Sequence, residues 1–103
     1  MDADITTEAA HIGDLLSRIR LAHKIKQNDA ALAASLSRST AYRIEKGDPA
    51  VALGQILRYL KAIAPGTTLQ DLLNGTDPAL NDLEEQEKRH RVRGAVKPPA
   101  PKL

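Results

Sequence analysis

Aliphatic residues recur every three or four positions in two segments of the chain, and this spacing constrains the fold more than any other feature. The first stripe consists of Ile12, Leu15, Leu16, Ile19 and Ala22. The second consists of Val51, Leu53, Ile56, Leu57, Leu60 and Ile63. Each stripe is one face of an amphipathic helix. Because the sequence has no phenylalanine or tryptophan and only two tyrosines, the core must be aliphatic, and we predict an all-α fold.

Capping and helix-breaking residues divide the chain into five predicted helices. In order, they are a helix over about residues 7–23, one in the segment KQNDAALAASL, one over about 38–46, the second aliphatic stripe, and a short helix that carries Leu69, Leu72 and Leu73. Ser37 is the expected N-cap of the third helix, and Gly47 is expected to end it. Pro65-Gly66 ends the fourth helix, and Thr68 can cap the fifth.

The composition changes after Asn74-Gly75. Residues 75–103 contain few large apolar side chains, a charge-rich centre and an end rich in proline and lysine. Such a segment cannot bury enough apolar surface to offset its ordering entropy. We therefore expect a helical domain over residues 1–74 and a flexible C-terminal tail over 75–103, mostly disordered when alone, in which residues 79–93 can form a transient helix.

The sequence gives no sign of catalysis or of a cofactor. Without cysteine there is no disulfide, thiolate nucleophile or thiolate-bound zinc. His11, His23 and His90 have no metal-ligand spacing, and no nucleophile elbow supports a triad of Ser17, His23 and Asp29. We expect no enzymatic activity, no cofactor and no metal site. The acidic N-terminus lacks a signal peptide's apolar region, and no apolar run approaches the roughly 20 residues of a membrane span, so we expect a cytoplasmic protein that does not associate with membranes.

Positive charge is concentrated in one stretch of the chain. From Arg18 to Lys46 there are seven basic residues and two acidic ones, whereas the whole chain carries a net charge of only +2. A second basic run lies between Lys88 and the C-terminus, where there are six basic residues and no acidic one. This asymmetry permits a polyanionic partner.

A helical wheel of the third predicted helix, in the segment SLSRSTAYRIEKGDPA, separates two faces. The broad face is predicted to be exposed and carries Arg38, Ser39, Tyr42, Arg43 and Lys46. Ala41 and Ile44 lie almost opposite and form a narrow edge that is predicted to be buried. Two short helices with a tight link, the second with such a face, describe a helix-turn-helix. A helix fits the major groove of DNA, where arginine binds guanine through two hydrogen bonds.

The segment QNDAALAASLSRSTAYRIEKG resembles the signature of the XRE, or phage-repressor-like, helix-turn-helix family. In that family a glutamine opens the first helix of the motif, a serine or threonine caps the recognition helix, and a pattern like SRSTxxRIExG follows. The matching positions are Gln27, Ala31, Leu36, Ser37, Arg38, Ser39, Thr40, Arg43, Ile44, Glu45 and Gly47. The resemblance implies a DNA-binding transcriptional repressor with a five-helix, lambda-repressor-like domain, and the helical periodicities favour the same fold.

The resemblance also implies roles for individual residues. Three residues would read bases, namely Arg38, Ser39 and Arg43. Four would hold phosphates, namely Gln27, Ser37, Tyr42 and Lys46. The sequence departs from the family pattern at two positions. Ala30 replaces the usual leucine, and Ser35 replaces the usual turn glycine, so Ser35 must adopt whatever backbone angle that glycine has.

A narrower resemblance concerns the segment EKGDPAVALGQILRYLKAI and the basic KRHRVRG of the tail. Together these are similar to the HipB-like antitoxins, which are encoded beside HipA-type kinase toxins. This implies an antitoxin that represses its own operon and neutralises a HipA-like kinase toxin, with the tail as a candidate contact. Helix-turn-helix proteins commonly dimerise on palindromic operators, so we expect a homodimer that binds double-stranded DNA at a pseudo-palindromic operator.

Several alternatives remain open on the sequence alone. The chain could be a stand-alone transcription factor without a toxin, or a protein-interaction adaptor that uses the helix-turn-helix only as a scaffold. Glu45 is expected to pair with Arg18 or Arg20. Tyr59 could lie at the edge of the core or in a dimer contact, and Leu69, Leu72 and Leu73 allow the same two interpretations.

Overall fold

Six helices form all of the secondary structure in the part of the chain described by this computed structural model, which covers the backbone of residues 3–96 and the side chains of residues 3–89. They are α1 (Ala3–Ala22), α2 (Gln27–Ala33), α3 (Arg38–Glu45), α4 (Leu53–Ile63), α5 (Leu69–Asn74) and α6 (Pro78–Val96). The all-α prediction is confirmed, and each of the five predicted helices is present. None of the helices within the described range is long and apolar enough to cross a membrane.

The predicted capping residues fix the ends of the short helices. The Ser37 hydroxyl accepts a hydrogen bond of 3.0 Å from the Thr40 N–H at the start of α3. Thr68 and Asp71 exchange two such bonds, each of 3.1 Å, at the start of α5. After α3 the chain turns at Gly47, whose φ of 76° is readily adopted only by glycine. The predicted roles of Ser37, Gly47 and Thr68 in delimiting helices are confirmed.

The turn between α2 and α3 contains a serine in the left-handed region. Ser35 has a φ of 58°, which costs a residue with a Cβ atom roughly 1 kcal/mol or more. Arg58 from α4 donates hydrogen bonds of 2.9 Å to both the Ala34 and the Ser35 carbonyl oxygens. Ser35 therefore takes the angle expected of the usual glycine, and Arg58 holds the carbonyls of this turn against α4.

The core is built from small and aliphatic side chains. Its fully or almost fully buried members include Leu16, Ile19, Ala30, Ala31, Ala41, Tyr59, Leu60, Ile63 and Leu72. Tyr59 is completely buried, so it belongs to the core and not to a dimer contact. Leu53 belongs to the predicted stripe of α4 but is 59% exposed. Helical periodicity predicts the face on which a side chain lies. It does not predict whether a neighbouring helix covers that face at every position.

Two glycines bring α1 and the end of α3 into backbone contact. A Cβ atom on Gly13 would lie 2.6 Å from the Gly47 backbone nitrogen, and one on Gly47 would overlap the Ala10 Cα. Contacts this short are sterically forbidden, so neither position accepts a side chain unless the two segments move apart. Gly47 thus ends α3 and also allows α1 to approach it closely.

Within residues 75–103 the structure describes a sixth helix, α6, which packs against α1. Leu80 is only 1% exposed, and Arg18 holds Glu87 through Nη2–Oε1 and Nη1–Oε2 distances of 2.6 and 3.4 Å. Asp77 contacts His23 and caps α6 by accepting a 2.9 Å hydrogen bond from the Leu80 N–H. Residues 97–103 lie outside the described residues.

The backbone contact between α1 and α3 predicts opposite effects for two glycine substitutions. Gly13→Ala should destabilise the fold by about 1–3 kcal/mol, because its Cβ would overlap backbone atoms that cannot rotate away. Gly54→Ala is the matched control, since a Cβ there meets nothing within 4 Å in the first turn of α4. It should be neutral or stabilise the fold by up to about 1 kcal/mol. Urea unfolding followed by circular dichroism measures both changes, and equal stability of the two variants would contradict the contact.

Candidate nucleic-acid interface

The exposed face of α3 is the one that the helical wheel predicts. All five predicted side chains, Arg38, Ser39, Tyr42, Arg43 and Lys46, are exposed, while Ala41 and Ile44 are buried. The helix is short and rests on its narrow apolar edge, so most of its circumference is accessible. This face presents two guanidinium groups, an ammonium group and two hydroxyl groups to solvent.

The N-terminus of α3 is stiffened by the Ser37 cap. The Ser37 hydroxyl accepts from the Thr40 N–H and also donates a 2.9 Å hydrogen bond to Thr40 Oγ1. Its single proton is therefore engaged within the helix. A phosphate contact through Ser37, as the family resemblance implies, requires this proton to turn away from Thr40. The neighbouring residues Arg38 and Ser39 are exposed at the first positions of the helix.

The other three predicted phosphate-binding residues line one concave surface. This polar groove has a volume of about 390 Å³ and is lined by Ala10, Asp14, Ser17, Gln27, Tyr42, Glu45 and Lys46. The Lys46 Nζ lies 5.4 Å from the centroid of the Tyr42 ring, which places both side chains at the same rim. Asp14 and Ser17 were not predicted, because α1 carries no motif that marks them. The Asp14 carboxylate opposes the attraction of an anion to this groove.

Arg43 is exposed but already has a partner within the chain. Its Nε donates a 2.8 Å hydrogen bond to Oδ2 of Asp48, and the other oxygen, Oδ1, accepts a 2.9 Å bond from the Ala50 N–H. The Ala50 N–H and the Arg43 guanidinium hold the pKa of the Asp48 carboxyl below its usual range. Asp48 was not predicted as part of the site. The signal was its position immediately after the helix-ending glycine, within reach of Arg43.

A buried carboxylate orients α3 relative to α1 and α4. Arg20 donates to Glu45 through Nε–Oε2 and Nη2–Oε1 distances of 2.6 and 3.1 Å, with side-chain exposures of 12% and 6%. The Tyr59 hydroxyl donates to the same carboxylate, and Arg20 Nη1 donates a 2.8 Å bond to the Ile25 carbonyl. Of the two predicted partners of Glu45, Arg20 is therefore the one observed.

The comparison with family models identifies the domain. The helix-turn-helix family model HTH_3 matches residues 16–64, from the middle of α1 to the end of α4. These residues form an XRE-type helix-turn-helix domain. The HTH_3 family consists of DNA-binding regulators, and its match supports an XRE-type transcription regulator with α2 and α3 as the helix-turn-helix motif. No curated protein and no solved structure matches the chain.

The XRE domain should lose stability at alkaline pH through Tyr59. Burial and the adjacent Glu45 carboxylate raise the pKa of Tyr59 above its ordinary value. The folded state then holds this proton more tightly than the unfolded state does. Stability is therefore fully present below the unfolded pKa of about 10 and falls as the pH rises beyond it, by up to about 1.4 kcal/mol per pH unit. Urea unfolding at a series of alkaline pH values measures this slope.

Two tyrosine variants separate this effect from other alkaline titrations. Tyr59→Phe should lose the Tyr59 component of the slope, whereas Tyr42→Phe should keep it because Tyr42 is exposed and lies outside the Glu45 contacts. Lysine titration contributes to both variants alike. Equal alkaline slopes in the two variants would show that Glu45 and burial do not hold the Tyr59 proton.

Proposed function

We propose that the chain is a sequence-specific repressor that binds a pseudo-palindromic operator as a homodimer. The observation that carries this proposal is the exposed basic and polar face of α3, supported from behind by the Glu45 contacts. In the complex, α3 would lie in the major groove of DNA, with the N-terminal residues of the helix toward the base edges. The two recognition helices of a dimer would lie about 34 Å apart, one helical turn of DNA.

Base reading is proposed for Arg38, Ser39 and Arg43. Arg38 and Ser39 are exposed at the first two positions of α3, the end from which side chains reach the bases. An arginine that donates two hydrogen bonds to guanine O6 and N7 discriminates against the other bases. Ser39 is small enough to let the helix approach the groove floor.

Phosphate binding is proposed for Gln27, Ser37, Tyr42 and Lys46. The support for Gln27, Tyr42 and Lys46 is their position around the polar groove next to α3. Contacts of this kind fix the position of a protein on the duplex without reading its sequence. For Ser37 the proposal is a cap that also approaches the backbone, since its hydroxyl proton is engaged with Thr40.

Dimer formation is supported by apolar side chains that the core leaves exposed. On α5, Leu72 is buried but Leu73 is 49% exposed. A second copy covering Leu73 would remove this apolar area from water and stabilise the dimer. A dimer matches the two-fold symmetry of a palindromic operator.

We further propose that the chain is an antitoxin of the HipB-like kind, which neutralises a HipA-like kinase toxin through residues 75–103. The support is the sequence resemblance together with the position of α6. On α1, Arg18 contacts α6 and Arg20 contacts α3, and residues two apart point about 200° apart around a helix. A partner could therefore hold α6 while α3 holds DNA.

Two alanine variants on α3 test the repressor proposal. Arg38→Ala should reduce the free energy of binding to the operator by about 1–3 kcal/mol and relax specificity at one base pair, because it removes a base contact. Lys46→Ala should weaken binding to all sequences alike, because it removes a phosphate contact. The slope of the logarithm of the binding constant against the logarithm of the salt concentration should become shallower by about one. The measurement is in vitro selection from random duplex DNA, followed by titrations at several salt concentrations.

Lys61→Ala on α4 provides the control for lost charge, since Lys61 is exposed and belongs neither to α3 nor to the polar groove. It should keep both the selected sequence and the affinity. An equal loss on operator and random DNA for Arg38→Ala would contradict base reading. If the wild-type chain enriches no sequence, the adaptor interpretation replaces the repressor proposal.

The antitoxin proposal predicts a binding partner that depends on the basic end of α6. A HipA-like kinase encoded beside this chain should co-purify with it, and its toxicity should be suppressed. Replacing Lys88, Arg89, Arg91 and Arg93 by glutamine should weaken this complex and leave operator binding unchanged. Deletion of α6 would also remove the buried Leu80 and expose part of the core, whereas these substitutions leave Leu80 in place. A kinase that remains toxic in the presence of the wild-type chain would contradict the proposal.

A further inference from the structure

Asp48 and Arg43 form an ion pair at the C-terminal end of the α3 face. The Arg43 Nε donates to Asp48 Oδ2 at 2.8 Å, and both side chains are partly exposed, at 45% and 33%. Both side chains are therefore accessible to solvent, and Arg43 lies on the α3 face at which DNA is proposed to bind. The ion pair links a proposed base-reading residue to a residue that has no assigned role.

The carboxylate is itself held in place. Asp48 Oδ1 accepts a 2.9 Å hydrogen bond from the Ala50 N–H, so the side chain spans the bend that follows α3. The Asp48 N–H in turn donates a 3.0 Å bond to the Arg43 carbonyl. The two residues are thus tied together through both backbone and side chain, and the carboxylate is not a freely rotating surface group.

The position of this contact on the guanidinium group decides what Arg43 can still bind. A guanidinium group has five N–H donors in one plane. Asp48 takes the Nε donor, and this contact fixes the plane of the group. The terminal Nη1 and Nη2 donors point away from Nε and match the paired acceptors O6 and N7 of a guanine edge. A single carboxylate contact at Nε therefore orients Arg43 without occupying its paired donors.

We propose that Asp48 is a positioning residue that fixes Arg43 for reading guanine and so determines specificity at one base pair of the operator. This inference rests on the proposed function of the α3 face. Pre-orientation reduces the side-chain entropy that Arg43 loses on binding. The negative charge of Asp48 also offsets that of Arg43, so the pair adds little to the attraction for phosphates of arbitrary sequence.

The decisive variant is Asp48→Asn. An asparagine keeps a carbonyl oxygen that can accept from the Ala50 N–H, but its amide nitrogen cannot accept from the Arg43 Nε. The substitution therefore removes the Arg43 contact and retains the bend. Asp48→Ala removes the contacts to both Arg43 and the Ala50 N–H. The difference between the two variants therefore gives the effect of losing the Ala50 hydrogen bond.

The experiment starts from the operator that the wild-type chain selects and measures affinity for all single-base-pair variants of it. Asp48→Asn should reduce discrimination about tenfold at the base pair that Arg43→Ala also affects. Discrimination at the base pair read by Arg38 should not change. Affinity for random DNA should stay equal or rise, because a negative charge near the phosphates is lost. In an Arg43→Ala background, Asp48→Asn should change no discrimination.

Four outcomes would overturn the assignment. If Asp48→Asn discriminates between base pairs as well as the wild type does, the carboxylate does not help Arg43 to read guanine. If it discriminates better, the carboxylate holds Arg43 away from DNA. An equal loss of affinity on every sequence would show a purely structural role. A loss that persists in the Arg43→Ala background would show that Asp48 acts without Arg43.

The failure of the proposed function is distinguishable from these outcomes. A wild-type chain that selects no sequence would remove base reading altogether, and the role of Asp48 with it. If the wild type selects an operator but Arg43→Ala keeps full specificity, sequence-specific binding stands through other residues and only the role of Asp48 falls. Thermal unfolding of each variant confirms that the compared proteins are folded.

Discussion

The carboxylate of Glu45 is the interaction on which the geometry of the exposed α3 face depends. It accepts hydrogen bonds from Arg20 of α1 and Tyr59 of α4 while belonging to α3 itself. A charge buried to this extent is tolerated only when its partners satisfy it, and the loss of one partner leaves an uncompensated charge in the interior. The contact is also directional. It therefore fixes the rotation of α3 about its own axis, which apolar packing of Ala41 and Ile44 alone would fix less strictly.

The second constraint on α3 comes from its backbone. Gly13 and Gly47 let α1 touch the end of α3 without intervening side chains, and the small residues Ala30, Ala31 and Ala41 are buried where the neighbouring helices approach one another. A backbone contact has little freedom to repack. Together with the buried carboxylate, it anchors the C-terminal end of α3, while the Ser37 cap holds the N-terminal end. The helix is thus held along its length and needs no contact from its outer face.

The parts of the structure that were predicted from the sequence are those decided by residues close in the chain. Caps act over three positions and the faces of a helix repeat every three or four, so Ser37, Gly47 and the exposed face of α3 could be read directly. The packing of α6 could not, because Arg18 and Glu87 are far apart in sequence and the composition of residues 75–103 favours disorder. The sequence reduced the partners of Glu45 to two arginines, and only the fold distinguishes them. The ion pair of Arg43 with Asp48 was missed for another reason, since it lies across a helix end, where wheel positions no longer apply.

The separation of α3 into a buried edge and an exposed face has an evolutionary consequence. Substitutions at Arg38, Ser39 or Tyr42 remove no interior contact, so they can change the chemistry of the exposed face with little effect on whether the chain folds. Residues Ala41, Ile44 and Glu45 are under the opposite pressure, because their contacts are all with the rest of the domain. A lineage descended from this chain could therefore acquire a new exposed surface by drift on one face of a single helix of eight residues. The same scaffold would persist unchanged beneath it.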